Sequence, residues 1–228
     1  VAELGAIVGE SGSGKSTSLR NLDPTKTFII NVASKPLPIP GYKKSYKPLV
    51  QIDGKWSGNL YNTSNVDKIA QVLQIIDKTM PHIEQVIMDD SQYLMSFEAM
   101  ERAQEKGFEK FTQIAQHFYS VLKSGMNMRD NLKVFILTHS ENIGDLINPS
   151  HKIKTMGKMI DNMITVEGLF TYVLFTIKIK DDDNKIQYKF MTQTDGTTTA
   201  KTPMGCFSEL YIDNDLQDVF NKIDEYNA

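Results

Sequence analysis

An α/β fold, with a mainly parallel sheet flanked by helices, is predicted by three features of the 228-residue sequence. Short apolar runs alternate with segments of helical periodicity, the signature of β-α-β units. Several of those runs end in polar or charged residues, as strands do where a parallel sheet presents its ligand edge. The first run, residues 4–8, leads straight into Gly9-Glu10-Ser11-Gly12-Ser13-Gly14-Lys15-Ser16-Thr17. This matches G-x-x-x-x-G-K-[ST], a complete phosphate-binding loop between a strand and a helix-compatible stretch, Ser18-Leu19-Arg20-Asn21-Leu22.

In such a loop, successive backbone N–H groups form a concave nest of donors for an anion. Lys15 adds an ammonium for the outer phosphates, and the Ser16 hydroxyl can ligate Mg²⁺. ATP and Mg²⁺ are the expected ligands, with Gly9, Glu10, Ser11, Gly12, Ser13, Gly14, Lys15, Ser16 and Thr17 as the cradle.

Phe28-Ile29-Ile30-Asn31-Val32 reads as a second buried strand, and Pro36, Pro38 and Pro40 end regular structure after it. Residues 35–61 mix Lys35, Lys43, Lys44, Lys47 and Lys55 with Tyr42, Tyr46, Trp56 and Tyr61. With a turn at Asp53-Gly54, this segment is expected to be an insertion between core elements. Ser64-x-x-Asp67 is expected to cap a helix carrying Ile69, Val72, Leu73, Ile76 and Met80, which Pro81 stops.

Gln85-Val86-Ile87-Met88-Asp89-Asp90 is a buried strand ending in two carboxylates. A long helical region follows over about 97–123. Gly107 is placed to divide it. Lys133-Val134-Phe135-Ile136-Leu137-Thr138-His139 is the next strand. Beyond it come a short segment at 154–163, a hairpin (170–180 and 185–194) within a 168–205 extension, and a terminal helix carrying Leu216, Val219, Phe220, Ile223 and Tyr226. The sequence reads as one domain, 1–228.

Composition narrows the function. A formal net charge of −3, with 22 Lys and three Arg, is not that of a polycation coating nucleic acid, so any DNA contact must be local. The single cysteine, Cys206, excludes an intramolecular disulfide and a Cys-based zinc site, and fits a reducing cytoplasmic setting. The longest mostly apolar stretch, 169–179, is too short to cross a bilayer, so no membrane partner is expected. With its first strand so near Val1, the chain is expected to continue upstream.

Phosphoryl transfer needs positioning and charge neutralisation more than covalent help. Asp89 stands where an acid would hold the Mg²⁺ shell through water, making Ser16 and Asp89 the metal residues. Asp90 is a candidate to orient the attacking water, with Glu10 as an alternative. Thr138 and His139 could report the γ-phosphate if their strand lies between the loop strand and the Asp89 strand. The catalytic set is thus Lys15, Asp89, Asp90 and His139.

The loop, the 86–90 strand with its terminal acids and the 134–139 strand together resemble the RecA-like and AAA-type P-loop ATPases. Residues 28–40, the block from Thr155-x-Gly157-Lys158 to Val166-Glu167-Gly168-Leu169-Phe170, and Thr199-Ala200-Lys201-Thr202-Pro203-Met204-Gly205 resemble bacteriophage-encoded AAA-domain ATP-binding proteins. Those belong to phage replication and recombination modules, and some relatives are single-strand annealing recombinases. The resemblance implies an ATPase in the host cytoplasm acting on DNA, single-stranded DNA favoured, as a homo-oligomeric ring or filament. Two segments could bind that DNA. One is 35–61, if its aromatics stack bases rather than pack on the core; the other is the hairpin with Lys178, Lys180, Lys185 and Lys189. A neighbouring subunit would complete the site with a cation, for which Lys201 is favoured over Lys154, Lys158, Arg102 and Arg129. One departure stands out: RecA-like enzymes usually carry a catalytic Glu at the end of the strand after the loop helix, whereas here Asn31-Val32-Ala33-Ser34-Lys35 ends it. The alternatives are a nucleotide or small-molecule kinase, for which three Arg are a thin supply, and a nucleotide-gated assembly protein that does not hydrolyse.

Overall fold

The computed structural model describes residues 1–145, 147–156 and 164–228. In chain order its elements are β1 (Glu3–Val8), a 3₁₀ helix (Ser16–Asn21), β2 (Thr27–Asn31), α1 (Tyr42–Ser45), β3 (Val50–Ile52), β4 (Lys55–Ser57), β5 (Leu60–Asn62) and α2 (Val66–Thr79). There follow β6 (Gln85–Asp89), α3 (Tyr93–Glu101), α4 (Glu109–Met126), β7 (Lys133–Thr138), β8 (Ser140–Asn142), β9 (His151–Ile153) and a second 3₁₀ helix (Val166–Leu169). The chain closes with β10 (Tyr172–Lys180), β11 (Ile186–Met191), β12 (Tyr211–Asp213) and α5 (Leu216–Asn227).

Eight strands form one sheet in the order β12-β11-β10-β1-β7-β6-β2-β5. From β10 to β5 every pairing is parallel, and β11 and β12 add antiparallel pairings at the far side. Strict alternation gives each parallel strand two buried faces. Leu4, Ala6, Val8, Phe28, Ile30, Val86, Met88, Val134, Ile136, Val173 and Phe175 share one core with the apolar stripes of α2 and α4 and with Leu94 and Met95 of α3. Ile7, Ile29, Ile87, Phe135, Leu137, Tyr172 and Leu174 face a second core with Leu19, Tyr46 and the α5 residues Leu216, Val219, Phe220 and Ile223. Helices therefore cover both faces, and the parallel strands all end at one edge.

Gly5 marks the tightest point of the second core. Its register partner is Phe135, and a Cβ on Gly5 would lie 2.2 Å from that ring. The ring in turn packs edge-on against Phe220, centroids 4.9 Å apart. Gly5→Ala is expected to destabilise the fold by about 1–3 kcal/mol through overpacking. A thermal melt showing no change would refute this packing.

Several expectations need correction. The loop is followed by six residues of 3₁₀ helix, not by an α-helix. Pro24 leaves too little chain between Lys15 and the turn for α-helical turns to propagate. The α2 N-cap is Asn65, whose side chain accepts from the Lys68 N–H, so Ser64 lies outside the cap. The 35–61 segment turns at Asp53-Gly54 as expected, in a small hairpin of β3 and β4, but its end is β5, the edge strand beside β2. Gly107, at φ 91°, separates α3 from α4 as expected, and the hairpin's β10 is continuous with the main sheet beside β1. The 154–163 segment falls partly outside the described residues. No helix among the described residues is long and apolar enough to cross a membrane.

Candidate functional site

β7 lies between β1 and β6, as the sequence reading required of the strand carrying Thr138 and His139. Val8 is in register with Thr138, and Asn31 with Asp89. The Gly9 N–H donates to the Thr138 carbonyl at 3.2 Å, which ties the start of the loop to the β7 tip. The loop, Asp89, Thr138 and the end of β2 therefore share one edge.

Within the loop, Gly12 and Gly14 take φ of 71° and 97°, a region closed to most side chains. Gly14 is followed by Lys15 at φ −48°, ψ −66°, and this change of hand creates an N–H nest. Gly9 is excluded from carrying a side chain by different contacts: a Cβ there would lie 1.8 Å from Thr176 Oγ1 and 2.8 Å from Ser13 Oγ. Those two hydroxyls are hydrogen-bonded at 2.5 Å, so β10 braces the loop from its other flank. Glu10, Ser11, Gly12 and Thr17 are exposed, while Ser13 is buried.

Lys15 is only 5 % exposed, and its ammonium donates to the carbonyls of Gly9 (2.8 Å) and Glu10 (2.7 Å). Burial lowers its pKa to about 8, against the opposing pull of Asp90 and Asp89. The Ser16 hydroxyl donates to Asp89 Oδ1 at 2.8 Å. Asp89 has no exposed surface; burial and then the neighbouring Asp90 push its pKa up to about 6. Its second oxygen, Oδ2, has no hydrogen-bond partner.

That orphan is one of a group. Thr138 Oγ1, Asn31 Oδ1 and both amide atoms of Gln92 are also buried without partners. Burying an unpaired polar atom costs about 1–3 kcal/mol, a cost that a polar ligand at this sheet edge would relieve. Ser16 and Asp89, a hydroxyl beside an ionisable oxygen with a free valence, fit the hard oxygen donors that Mg²⁺ takes alongside phosphate.

Asp90 leaves the strand at φ 59°, left-handed for a non-glycine residue. Its carboxylate is ion-paired with Lys35. Burial opposes the Lys35 charge, but the hydrogen-bonded Asp90, and then Asp89, raise its pKa above the ordinary value. Lys35, in the coil past the end of β2, thus stands beside the acids. His139 is half-buried, edge-on to Tyr93 with centroids 6.1 Å apart. Burial, then Lys15, lowers its pKa and keeps it neutral at physiological pH.

The site brings together Lys15, Ser16, Asp89, Asp90 and His139 as anticipated, and adds Asn31, Lys35, Gln92 and Thr176, which sequence reasoning did not single out. Gln92 had a local signal, following Asp89-Asp90-Ser91 directly. Asn31 ends β2, Lys35 follows it in coil, and Thr176 lies on β10. Size does not mark the site: a larger cavity, about 980 Å³, lies between β12 and α5 and includes none of these residues.

The arginines and several lysines are engaged elsewhere. Arg102 pairs with Glu98 and Glu105, and Arg129 donates to the carbonyls of Ile76, Asp77 and Met80. Arg20 is held by Asp215 and the Asn214 carbonyl. Lys154 lines a small pocket with Gln92 and His139. Lys201 pairs through its backbone with Val173. Lys158 lies outside the described residues. In the 35–61 segment Tyr46 is buried and Tyr42, Trp56 and Tyr61 pack against the core. In the hairpin, Lys189 and Lys185 pair with Asp213 and Asp183.

Compared with protein-family models and with curated proteins, the sequence matches none of either.

Proposed function

We propose that this chain is a nucleoside-triphosphate-binding protein of the P-loop class. Within that class it is a magnesium-dependent, RecA-like or AAA-type ATPase serving DNA recombination, annealing or replication in a bacteriophage. The observation that carries the first statement is the alignment of an N–H nest, a buried ammonium and a hydroxyl–carboxylate pair on one sheet edge, with unpartnered polar atoms beside them. The phage setting rests on the sequence blocks quoted above. Action on DNA rests on those blocks and on the exposed Lys43, Lys44, Lys47 and Lys55.

The nest and Lys15 hold the phosphate chain; to do so the ammonium exchanges its two carbonyl acceptors for phosphate oxygens. Ser16 and Asp89 would hold Mg²⁺, which when bound neutralises phosphate charge. Thr138 and His139 offer a hydroxyl and a neutral imidazole to the outer phosphate. Asp90 can take a proton from the attacking water only when Lys35 releases it. In an oligomer, Lys201 is the cation proposed to reach a neighbour's site.

The kinase alternative is weakened because all three Arg are engaged within the fold, leaving none to clamp a second phosphate group. A second reading, nucleotide binding that gates assembly without hydrolysis, is favoured by the Lys35–Asp90 pair. ATP turnover in Mg²⁺, with and without single-stranded DNA, separates the two. Turnover stimulated by DNA supports the first reading. Tight binding without turnover, with or without DNA, overturns it in favour of the second.

A further inference from the structure

The loop has a second flank. The acids and Thr138 lie toward β7 and β6, whereas β10, β11 and β12 lie on the opposite side of β1. There a cavity of about 430 Å³ opens between Gly12, Gly14 and Thr17 of the loop and Tyr188, Asp213, Asn214 and Asp218. A phosphate chain that points its outer end at Asp89 and Thr138 leaves the nest past Thr17, into this cavity.

Three features fix what the cavity accepts. Tyr188 packs directly over the loop, its ring 3.1 Å from where a Gly14 Cβ would stand, and remains 44 % exposed. Its ring is available for a flat partner. Asn214, which lines the cavity, is only 5 % exposed, and its Nδ2 is a buried donor with no hydrogen-bond partner. The charged lining is three carboxylates, Asp213, Asp215 and Asp218, against Arg20 alone. Asp213 is paired with Lys189, and Asp215 is held by Arg20 and Asn21. Asp218 is exposed at the start of α5. Such a lining repels further phosphate and accepts N–H and O–H donors, since an ionised carboxylate has no hydrogen to give.

We propose that this cavity holds the nucleoside half of the triphosphate and selects a base bearing an exocyclic amine. The base stacks on Tyr188, Asn214 donates to a ring acceptor, and Asp218 accepts from the amine. This rests on the triphosphate reading of the loop.

The test compares binding of ATP, GTP, ITP and tripolyphosphate, each with Mg²⁺, to the native chain and to Tyr188→Ala, Asn214→Ala and Asp218→Ala. ITP lacks the exocyclic amine of ATP and of GTP, so the matched pairs also identify which purine is preferred. The native protein should bind ATP or GTP about tenfold or more tightly than ITP and tripolyphosphate, the worth of one hydrogen bond to a charged group. Asp218→Ala, which leaves no acceptor, should remove the preference over ITP; Tyr188→Ala and Asn214→Ala should remove the advantage over tripolyphosphate. Tripolyphosphate affinity itself should hold in all three variants. Equal affinity for ATP, GTP and ITP, or variants that keep the native preferences, overturns the proposal while leaving the phosphate site intact. Failure of the native chain to bind any of the four overturns both.

Discussion

Asp89→Asn should make the protein more stable and nearly inactive. The two effects have one cause. Asp89 is fully buried beside Asp90, and its pKa stands at about 6, against an ordinary 3.8. Between those values the folded protein holds a proton that the unfolded chain has released. The group's contribution to stability therefore falls as pH rises through that window, and the whole penalty stands above it. An amide carries no such charge and still accepts from Ser16, so without metal the variant should gain on the order of 2–3 kcal/mol at neutral pH. The gain should vanish below about pH 4. Turnover should fall by about a hundredfold or more, because a neutral amide is a poor partner for a divalent cation. A variant that melts with the native protein at every pH would show that Asp89 is not held in the environment described.

The second large effect belongs to Lys15. Burial holds its pKa near 8, so the free protein begins to lose this charge as pH passes that value. A bound polyphosphate favours the ammonium, so above about pH 8 binding takes up a proton and affinity falls, by up to about tenfold per pH unit. Substitution by alanine should remove both the affinity and its pH dependence, leaving an N–H nest without its mobile cation.

The legible parts of this molecule are those in which chemistry and sequence are adjacent. A nest, an ammonium and a hydroxyl must follow one another along the backbone, so the loop could be read directly. Asp89 was readable because an apolar run that ends in an acid is a buried strand meeting a polar edge. Asn31, Lys35, Thr176 and Asn214 were not, because they reach the loop from the end of β2, from β10 and from the turn after β12, and only the order β12-β11-β10-β1-β7-β6-β2 brings them together. Local polarity misled in two places. Thr63-Ser64-Asn65 offers three capping residues in a row, and it is Asn65 whose side chain caps α2. The aromatics of 35–61 have the composition of a base-stacking platform, yet Tyr46 is buried in the second core; composition cannot separate stacking from packing. Lys35 shows the same difficulty with charge: among lysines that look like a DNA-binding set, it is the one paired with Asp90.

Calorimetric titration with ATP in excess Mg²⁺ tests directly whether Lys15 grips a magnesium-bound polyphosphate. For the native chain, saturable one-to-one binding should weaken between about pH 7 and pH 9.5, with proton uptake visible in buffers of different ionisation enthalpy. Lys15→Ala should bind at least about a hundredfold more weakly at neutral pH, as expected for the loss of charge-assisted bonds to phosphate. Native protein that gives no heat with ATP, or a Lys15→Ala chain that binds as tightly as the native one, would contradict it.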